Sequence, residues 1–301
     1  MWEKLFVSSK TFLSYNWCDK SLKQEIEIRM RTKLFNRWIF EKFGKIAAAV
    51  ATVFSIAIIY IPAKCQLAAL WTLLSLLVLS YVGVVICANF KKQVTIRIRN
   101  TKIVIKQGDL FTEEGQKVIP MNEFFDVDIE SGVVDPESLH GQYIRNHAHK
   151  APQELYDDII KGLQCKNPVA VDQKREHGGQ IKYGLGTIYD DKKWYYLLAY
   201  SKFDKDNRAY LTNEDIARCY TNMWNEIDII RGSQSIAVPV FGAGGIVRFS
   251  KEYTPQQLIE LILWSFRISG IQLSRRATLS VVVHESLIND IDFLKLSYYS
   301  D

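Results

Sequence analysis

The chain has 301 residues, of which 48% are hydrophobic and 24% charged, and the roughly 210 residues that follow position 90 are enough for one domain with a full core. The formal net charge of +5 lies wholly in residues 1–45, which hold 10 Lys or Arg against 5 Asp or Glu, so nothing supports a basic nucleic-acid surface on the globular part. Five cysteines without a CxxC pair exclude a disulfide framework or a cysteine zinc site and fit a reducing compartment.

Residues 1–45 read as a helical lead-in, with Leu22, Ile26, Ile28, Leu34, Trp38, Ile39 and Phe43 interleaved with Arg29, Arg31, Lys33 and Arg37. Two readings stay open: an interfacial helix facing anionic headgroups, or a packing helix. Residues 46–90 then hold two apolar runs separated by Lys64, Cys65 and Gln66. Ile46–Ala63 is 18 residues without a charge and Leu67–Phe90 is 24, each long enough to cross a bilayer as a helix. The alternative is a helical pair buried in a soluble core, but such helices carry a polar stripe and these do not. Lys42, Lys45, Lys91 and Lys92 flank the outer ends, which predicts a hairpin with both termini cytoplasmic. A signal peptide is excluded, because the first run starts only after 45 charge-rich residues. Ala47, Ala48, Ala49 and Ala51 offer a small surface for close helix contact.

After Lys92 the pattern changes to alternation. Gln93–Arg99 and Lys102–Lys106 predict strands about a turn at Asn100-Thr101, and Lys117–Asn122 a third. Pro152–Leu163 has helical spacing. Tyr183–Tyr189 and Trp194–Ser201 predict strands around Asp190–Lys193. Thr212, with Asp215 three residues on, predicts a capped helix to about Ile230. Ile236–Val240 is a short apolar strand, Pro255 opens a helix to about Ile268, Ala277–His284 is a strand and Leu287–Leu296 a last helix. Strands alternating with helices imply an α/β layer structure around a buried sheet.

Chemistry concentrates at strand ends. A strand runs into Phe241-Gly242-Ala243-Gly244-Gly245-Ile246, where small side chains let main-chain N–H groups close on a phosphate, with Arg248 as a charged partner. The pattern is neither a Walker loop nor a Rossmann fingerprint, and a glycine turn without a ligand is its plain alternative. Gln107-Gly108-Asp109 places an acid at another strand end, suited to an exocyclic amine, with Leu110 and Phe111 able to pack on a base. The five histidines suggest no metal site, and no Ser-His-Asp or Cys-His arrangement is indicated.

Together these motifs point to a family. Gln107-Gly108-Asp109-Leu110 resembles the Gly-Asp-Ile/Leu start of macro domains, and Val118–Asn122 resembles the strand ending at their ribose-contacting asparagine. Ser138–Ile144 is similar to the loop and helix start that follow, and Phe241–Ile246 to their second phosphate loop. The resemblance covers Gln93 to the C-terminus. Two apolar spans before such a domain resemble the ThsA-type effectors of Thoeris anti-phage defence, which also carry a stretch like Leu198–Asn207.

The resemblance implies a three-layer α/β/α macro-like domain with a mixed sheet over residues 93–301, following the hairpin. It implies an ADP-ribose derivative as ligand, made by a partner TIR-domain enzyme, with histidine-ADP-ribose an example. Asp109 would hold the adenine amine and Asn122 the distal ribose. Leu139, His140 and Gly141 would line the first phosphate loop, and Gly242 through Ile246 the second. Asp126 or Asp204 would meet an extra cationic group, a solvated loop being the alternative for both. Hydrolytic macro domains have a longer glycine run after their asparagine. Here Glu123–Glu137 is bulky and acidic, which favours holding a ligand over turning it over. The expectation is therefore a sensor in the bacterial inner membrane, acting as a homo-oligomer because two spans cannot enclose a pore. No catalytic residue, metal or cofactor is expected. The rival is a membrane-tethered ADP-ribosyl hydrolase or phosphoesterase using Asn122 and a nearby acid to position water.

Overall fold

The computed structural model describes residues 37–204, 206–244 and 252–301; the lead-in N-terminal to these, and Gly245, Ile246 and Arg248, lie outside the described residues. The chain divides between Phe90 and Lys91 into two compact units.

In the first unit, α1 (Arg37–Ala57) has begun nine residues before the apolar run, so the charged flank and the span share one helix. It tightens into a 3-10 turn (Ile58–Tyr60), breaks at Pro62, and a second such turn (Ala63–Cys65) leads into α2 (Gln66–Asn89). Pro62 stops the helix because its ring clashes with the preceding turn. The apolar windows, Trp38–Tyr60 and Ala63–Asn89, are 23 and 27 residues long with mean hydropathy 1.9 and 2.3, long and apolar enough to cross a bilayer. Most of their side chains are exposed, Val53 to 69%, Leu79 to 67% and Ile59 to 77%, with burial confined to Ile39, Val84, Val85 and Ala88 near the outer ends. Half-buried positions recur at helical spacing, at Phe43, Ala47, Val50 and Phe54 on α1 and at Ala69, Leu73 and Leu77 on α2. Tyr81 packs edge-on against Phe43 at 5.3 Å, which brings the start of α1 against the end of α2 as in an antiparallel hairpin. Ala48, Ala49 and Ala51 are exposed, so of the four alanines expected at the contact only Ala47 is on the shielded stripe. A helix presents one face per turn, and a run of adjacent small residues cannot share it.

The second unit is an α/β domain. Strands β1 (Gln93–Ile98) and β2 (Thr101–Gln107) pair antiparallel, Ile98 opposite Thr101. Their tight turn is Arg99-Asn100, one residue earlier than expected, and both residues have positive φ, 47° and 68°. There follow β3 (Gln116–Asn122), α3 (Leu139–Asn146), α4 (Pro152–Gly162), a small ribbon of β4 (Ala170–Val171) and β5 (Ile181–Lys182), β6 (Ile188–Asp190), β7 (Tyr195–Phe203) and β8 (Ala209–Tyr210). The chain closes with α5 (Asn213–Ile230), β9 (Ile236–Pro239), α6 (Pro255–Ser269), β10 (Thr278–Val283) and α7 (Phe293–Leu296). Thr212 and Asp215 form the expected capping box, and Thr254 with Gln257 forms another. Two expectations are corrected. Most of Tyr183–Tyr189 is irregular, with strand only from Ile188 on, and Leu287–Leu296 is interrupted, because the Asp292 carboxylate accepts from Leu294 and Lys295 N–H and starts a new short helix.

The sheet runs β1-β2-β10-β9-β3-β7-β6, with β8 also on β7. The five central strands are mutually parallel, and β1, β6 and β8 are antiparallel to their neighbours, so the sheet is mixed. Alternate side chains of β7 show the three layers: Tyr196, Leu198 and Tyr200 join a core with α5 and α6, while Tyr195, Leu197 and Ala199 join one with α3 and α4.

One topological feature positions the site. From β9 the chain proceeds to β10 on one side, and from β3 to β7 on the other, so chain order reverses between the neighbours β3 and β9. These two strands pair only at Gln116–Ile236 and Lys117–Ala237. Pro120 and Pro239 lie beyond that pairing, and neither has an N–H to offer a ladder.

Candidate functional site

Where β3 and β9 part, a cleft of about 750 Å³ opens at the carboxyl ends of the parallel strands. That is the size of a small-molecule site and the place where open α/β sheets bind ligands. Each strand end contributes: Gln107–Leu110 after β2, Pro120–Asn122 from β3, Tyr200, Ser201 and Phe203 from β7, Pro239–Gly244 after β9 and His284–Leu287 after β10. Val133–Asp135 and Glu137–His140, leading into α3, close the remaining side.

The glycine turn is built as its composition demands. Gly242 has φ of +78°, open to glycine at no cost, and Ala243 N–H bonds back to Val240 O at 3.3 Å. Gly244 is exposed, and a Cβ there would meet nothing within 4 Å. Beneath the turn, Phe241 stacks on Tyr200 with ring centroids 5.2 Å apart. Tyr200 is the extra residue of a bulge, since Met121 pairs with Ala199 but Asn122 with Ser201.

Opposite the turn, Ser138 caps α3 by accepting from Gly141 N–H. The N-terminus of this helix presents main-chain N–H groups and the positive end of its dipole on the same cleft. Leu139 and His140 line the cleft, and Gly141 does not. Gly141 has a packing role: a Cβ would lie 2.2 Å from Asp135 O and 2.7 Å from Pro136 Cα. His140 Nε2 is 2.7 Å from Asp126 O, a carbonyl, so Nε2 carries the proton. Burial pushes the imidazole pKa down to about 4, and the ring is neutral at physiological pH.

Asp109 stands exposed on the cleft wall, its Oδ1 accepting from Phe111 N–H at 3.0 Å. Leu110 lines the cleft, but Phe111 stacks at 4.1 Å on His147 and is not available to a base. Asn122 reaches the cleft, yet its amide is engaged behind it. Nδ2 donates to Asp126 Oδ2 at 2.8 Å, and Oδ1 accepts from Phe124 N at 3.0 Å and Asp126 N at 3.3 Å. The side chain thus templates the following loop, where buried Phe125 holds φ of +52°.

Two of the acids expected to face the ligand do not line the cleft. Asp126 is completely buried and forms a bidentate pair with Arg175, whose guanidinium also stacks 4.0 Å from the Phe124 ring. An apolar enclosure forces a carboxylate onto a cation, and Arg175, in a loop between β4 and β5, supplies it. Asp204 folds its own turn, Oδ1 accepting from Asp206 N and Arg208 N. The acids that do line the cleft are Asp109, Asp135, Glu137 and Glu285, and no Lys or Arg among the described residues joins them. The lining residues among 133–137, read only as part of a bulky acidic stretch, and 284–287 were not named individually as site residues by the sequence reading. The second group follows a recognised strand and was open to the same strand-end argument, whereas the first comes into place only through the loop after Asn122.

Among the described residues no cluster of metal-ligating side chains occurs. The family model for the macro domain of Thoeris protein ThsA matches residues 103–284. Thoeris protein ThsA of Bacillus amyloliquefaciens (strain Y2) is 30% identical over 278 residues, spanning 90% of this chain and 91% of that protein. Solved structures from Oceanobacillus iheyensis are similar at lower identity. A macrodomain with ADP is 12% identical with a TM-score of 0.44, covering 68% of this chain and 95% of that one. A macrodomain mutant with ADPR is 13% identical with a TM-score of 0.42, covering 68% and 97%.

Proposed function

Since this chain belongs to the ThsA macro-domain family of Thoeris proteins, we propose that it is a membrane-bound effector whose macro-like domain senses an ADP-ribose-derived signal made by a TIR-domain enzyme. The observation that carries this reading is the cleft at the parallel strand ends, with the glycine turn on one side and the N-terminus of α3 on the other. Without a lining cation among the described residues, a diphosphate is held by main-chain N–H groups, and Asp109 takes the amine of the base. Asn122 contacts the distal ribose from its pinned position, with Leu139, His140 and Gly242–Gly244 around the phosphates. Asp135, Glu137 and Glu285 favour a ligand bearing an amino group, such as histidine-ADP-ribose. The commitment of Asn122 to its own loop favours retention of the ligand over positioning of a water.

The exposed apolar faces of α1 and α2 support association with a membrane. The arrangement proposed is a hairpin in the bacterial inner membrane with both termini on the cytoplasmic side, the side that the flanking Lys42, Lys45, Lys91 and Lys92 favour. Two spans per chain enclose no pore, so ligand binding acts by favouring an assembled state that disrupts the membrane. The test is calorimetry of the full chain in detergent against ADP-ribose and histidine-ADP-ribose, with recovery of the ligand afterwards. A sensor binds and returns its ligand intact; a hydrolase consumes it. Gly244→Asp, whose side chain enters open space, should leave the fold intact while its charge repels the diphosphate, abolishing binding and toxicity together. Toxicity that survives loss of binding would reject the coupling.

A further inference from the structure

Strand β2 carries an alternating apolar row, Ile103 and Ile105, both fully buried on the sheet face that packs against α5 and α6. The next position in that row is Gln107, a polar amide where the neighbouring strand β10 ends its own row in Val281 and Val283. The Gln107 main chain is tied on both sides, its N–H to Lys92 O at 3.0 Å and the following Gly108 N–H to Val283 O at 3.0 Å. Its side chain is different. Oε1 is buried and meets no hydrogen-bond partner among the described residues, and the residue lines the cleft beside His284–Leu287 and the glycine turn. A buried carbonyl oxygen that lacks a donor opposes folding, and an apolar residue of the same length would fill the position without that cost.

We propose that the Gln107 side-chain amide binds the ligand, Oε1 accepting a hydrogen bond from an N–H or O–H of the bound nucleotide, which makes Gln107 a specificity-determining residue of the cleft. This rests on the nucleotide-binding reading above. The donor is a ribose hydroxyl or a base amine, since the diphosphate offers acceptors only. Asp109, on the next loop, takes a separate donor through its exposed carboxylate. A ligand without a donor at this place leaves Oε1 unpartnered and is discriminated against, as sites built to pair a hydroxyl or amine reject analogues that lack it.

The inference separates recognition from structure by opposite signs. Gln107→Met keeps the length and the main-chain bonds to Lys92 and Val283 and removes the amide. The full chain in detergent is titrated with ADP-ribose and with histidine-ADP-ribose by calorimetry and melted without ligand. The expected result is affinity about 10-fold weaker with a melting temperature equal to or above wild type. Gln107→Leu should behave alike. A Met variant that binds within about twofold of wild type, or one whose affinity and melting temperature fall together, overturns the proposal. Wild-type protein that ignores both ADP-ribose and histidine-ADP-ribose overturns the nucleotide reading itself, whereas wild-type binding of either with an indifferent Met variant removes only the role of Gln107.

Discussion

The Asp126–Arg175 pair behind the cleft allows a quantitative test. Asp126 Oδ1 accepts from Arg175 Nη1 at 2.8 Å and Gly179 N at 2.6 Å, and Oδ2 from Arg175 Nη2 at 2.6 Å and Asn122 Nδ2 at 2.8 Å. The Asp126 side chain is 0% exposed and that of Arg175 7%, so water screens neither. Asp126→Ala strands the guanidinium, which Asn207 Oδ1 and Gly179 O hold in place and prevent from swinging into solvent. Removing one partner of a buried pair costs about 3–5 kcal/mol. At roughly 2–4 °C per kcal/mol for a domain of this size, the melting temperature should fall by about 6–20 °C. Circular dichroism melts of the full chain in detergent measure it. The double variant Asp126→Leu with Arg175→Met removes both charges and should recover most of the loss, because an apolar pair incurs no desolvation of ions. If Asp126 instead contacted the ligand, the Ala variant would melt as wild type and only its affinity would drop. A melting temperature within about 2 °C of wild type would refute the argument from burial.

Two further outcomes follow from the walls of the cleft. The His140 imidazole is held at a pKa of about 4 by burial, below the 6.5 of the unfolded chain, so the unfolded state binds the extra proton between these values. Stability is therefore undiminished above about pH 6.5 and declines as pH falls toward 4, by about 3 kcal/mol in all at roughly 1.4 kcal/mol per unit. Denaturant titrations across this range should show that His140→Gln flattens the dependence, and an unchanged slope would contradict the buried neutral ring. Gly141→Ala, which at an ordinary helix position gains up to about 1 kcal/mol, should here lose roughly 2–3 kcal/mol. The added Cβ would sit 2.2 Å from Asp135 O, a main-chain atom that cannot turn aside. An Ala variant with an unchanged denaturant midpoint would dispose of that close approach.

Local patterns in the chain were readable wherever one physical rule acted alone. Continuous apolarity over residues 46–90 specifies helices long enough for a bilayer, because length and hydropathy suffice. Alternation in β1, where Val94, Ile96 and Ile98 are buried and their neighbours exposed, marks a one-sided edge strand. The Thr212–Asp215 box and the positive φ of Gly242 follow from short-range chemistry. The place of Glu123 and Asp126 in the acidic stretch after Asn122 was not legible for a related reason. Charge in a loop ordinarily marks solvent or ligand, and the chain gives no sign that Glu123 pairs with Lys182 or Asp126 with Arg175 across 59 and 49 positions.

The order of apolar, alternating and glycine-rich segments thus determined by itself that this protein joins two apolar helices to an α/β domain with its chemistry at strand ends. Tertiary structure decided which strand ends converge. Only the reversal of chain order between β3 and β9, and their pairing at two positions before they diverge, bring Asp109, Asn122, His140 and Gly244 around one cleft. It also decided which acids face the cleft and which are neutralised behind it, because burial and ion pairing depend on partners far along the chain that no local pattern encodes.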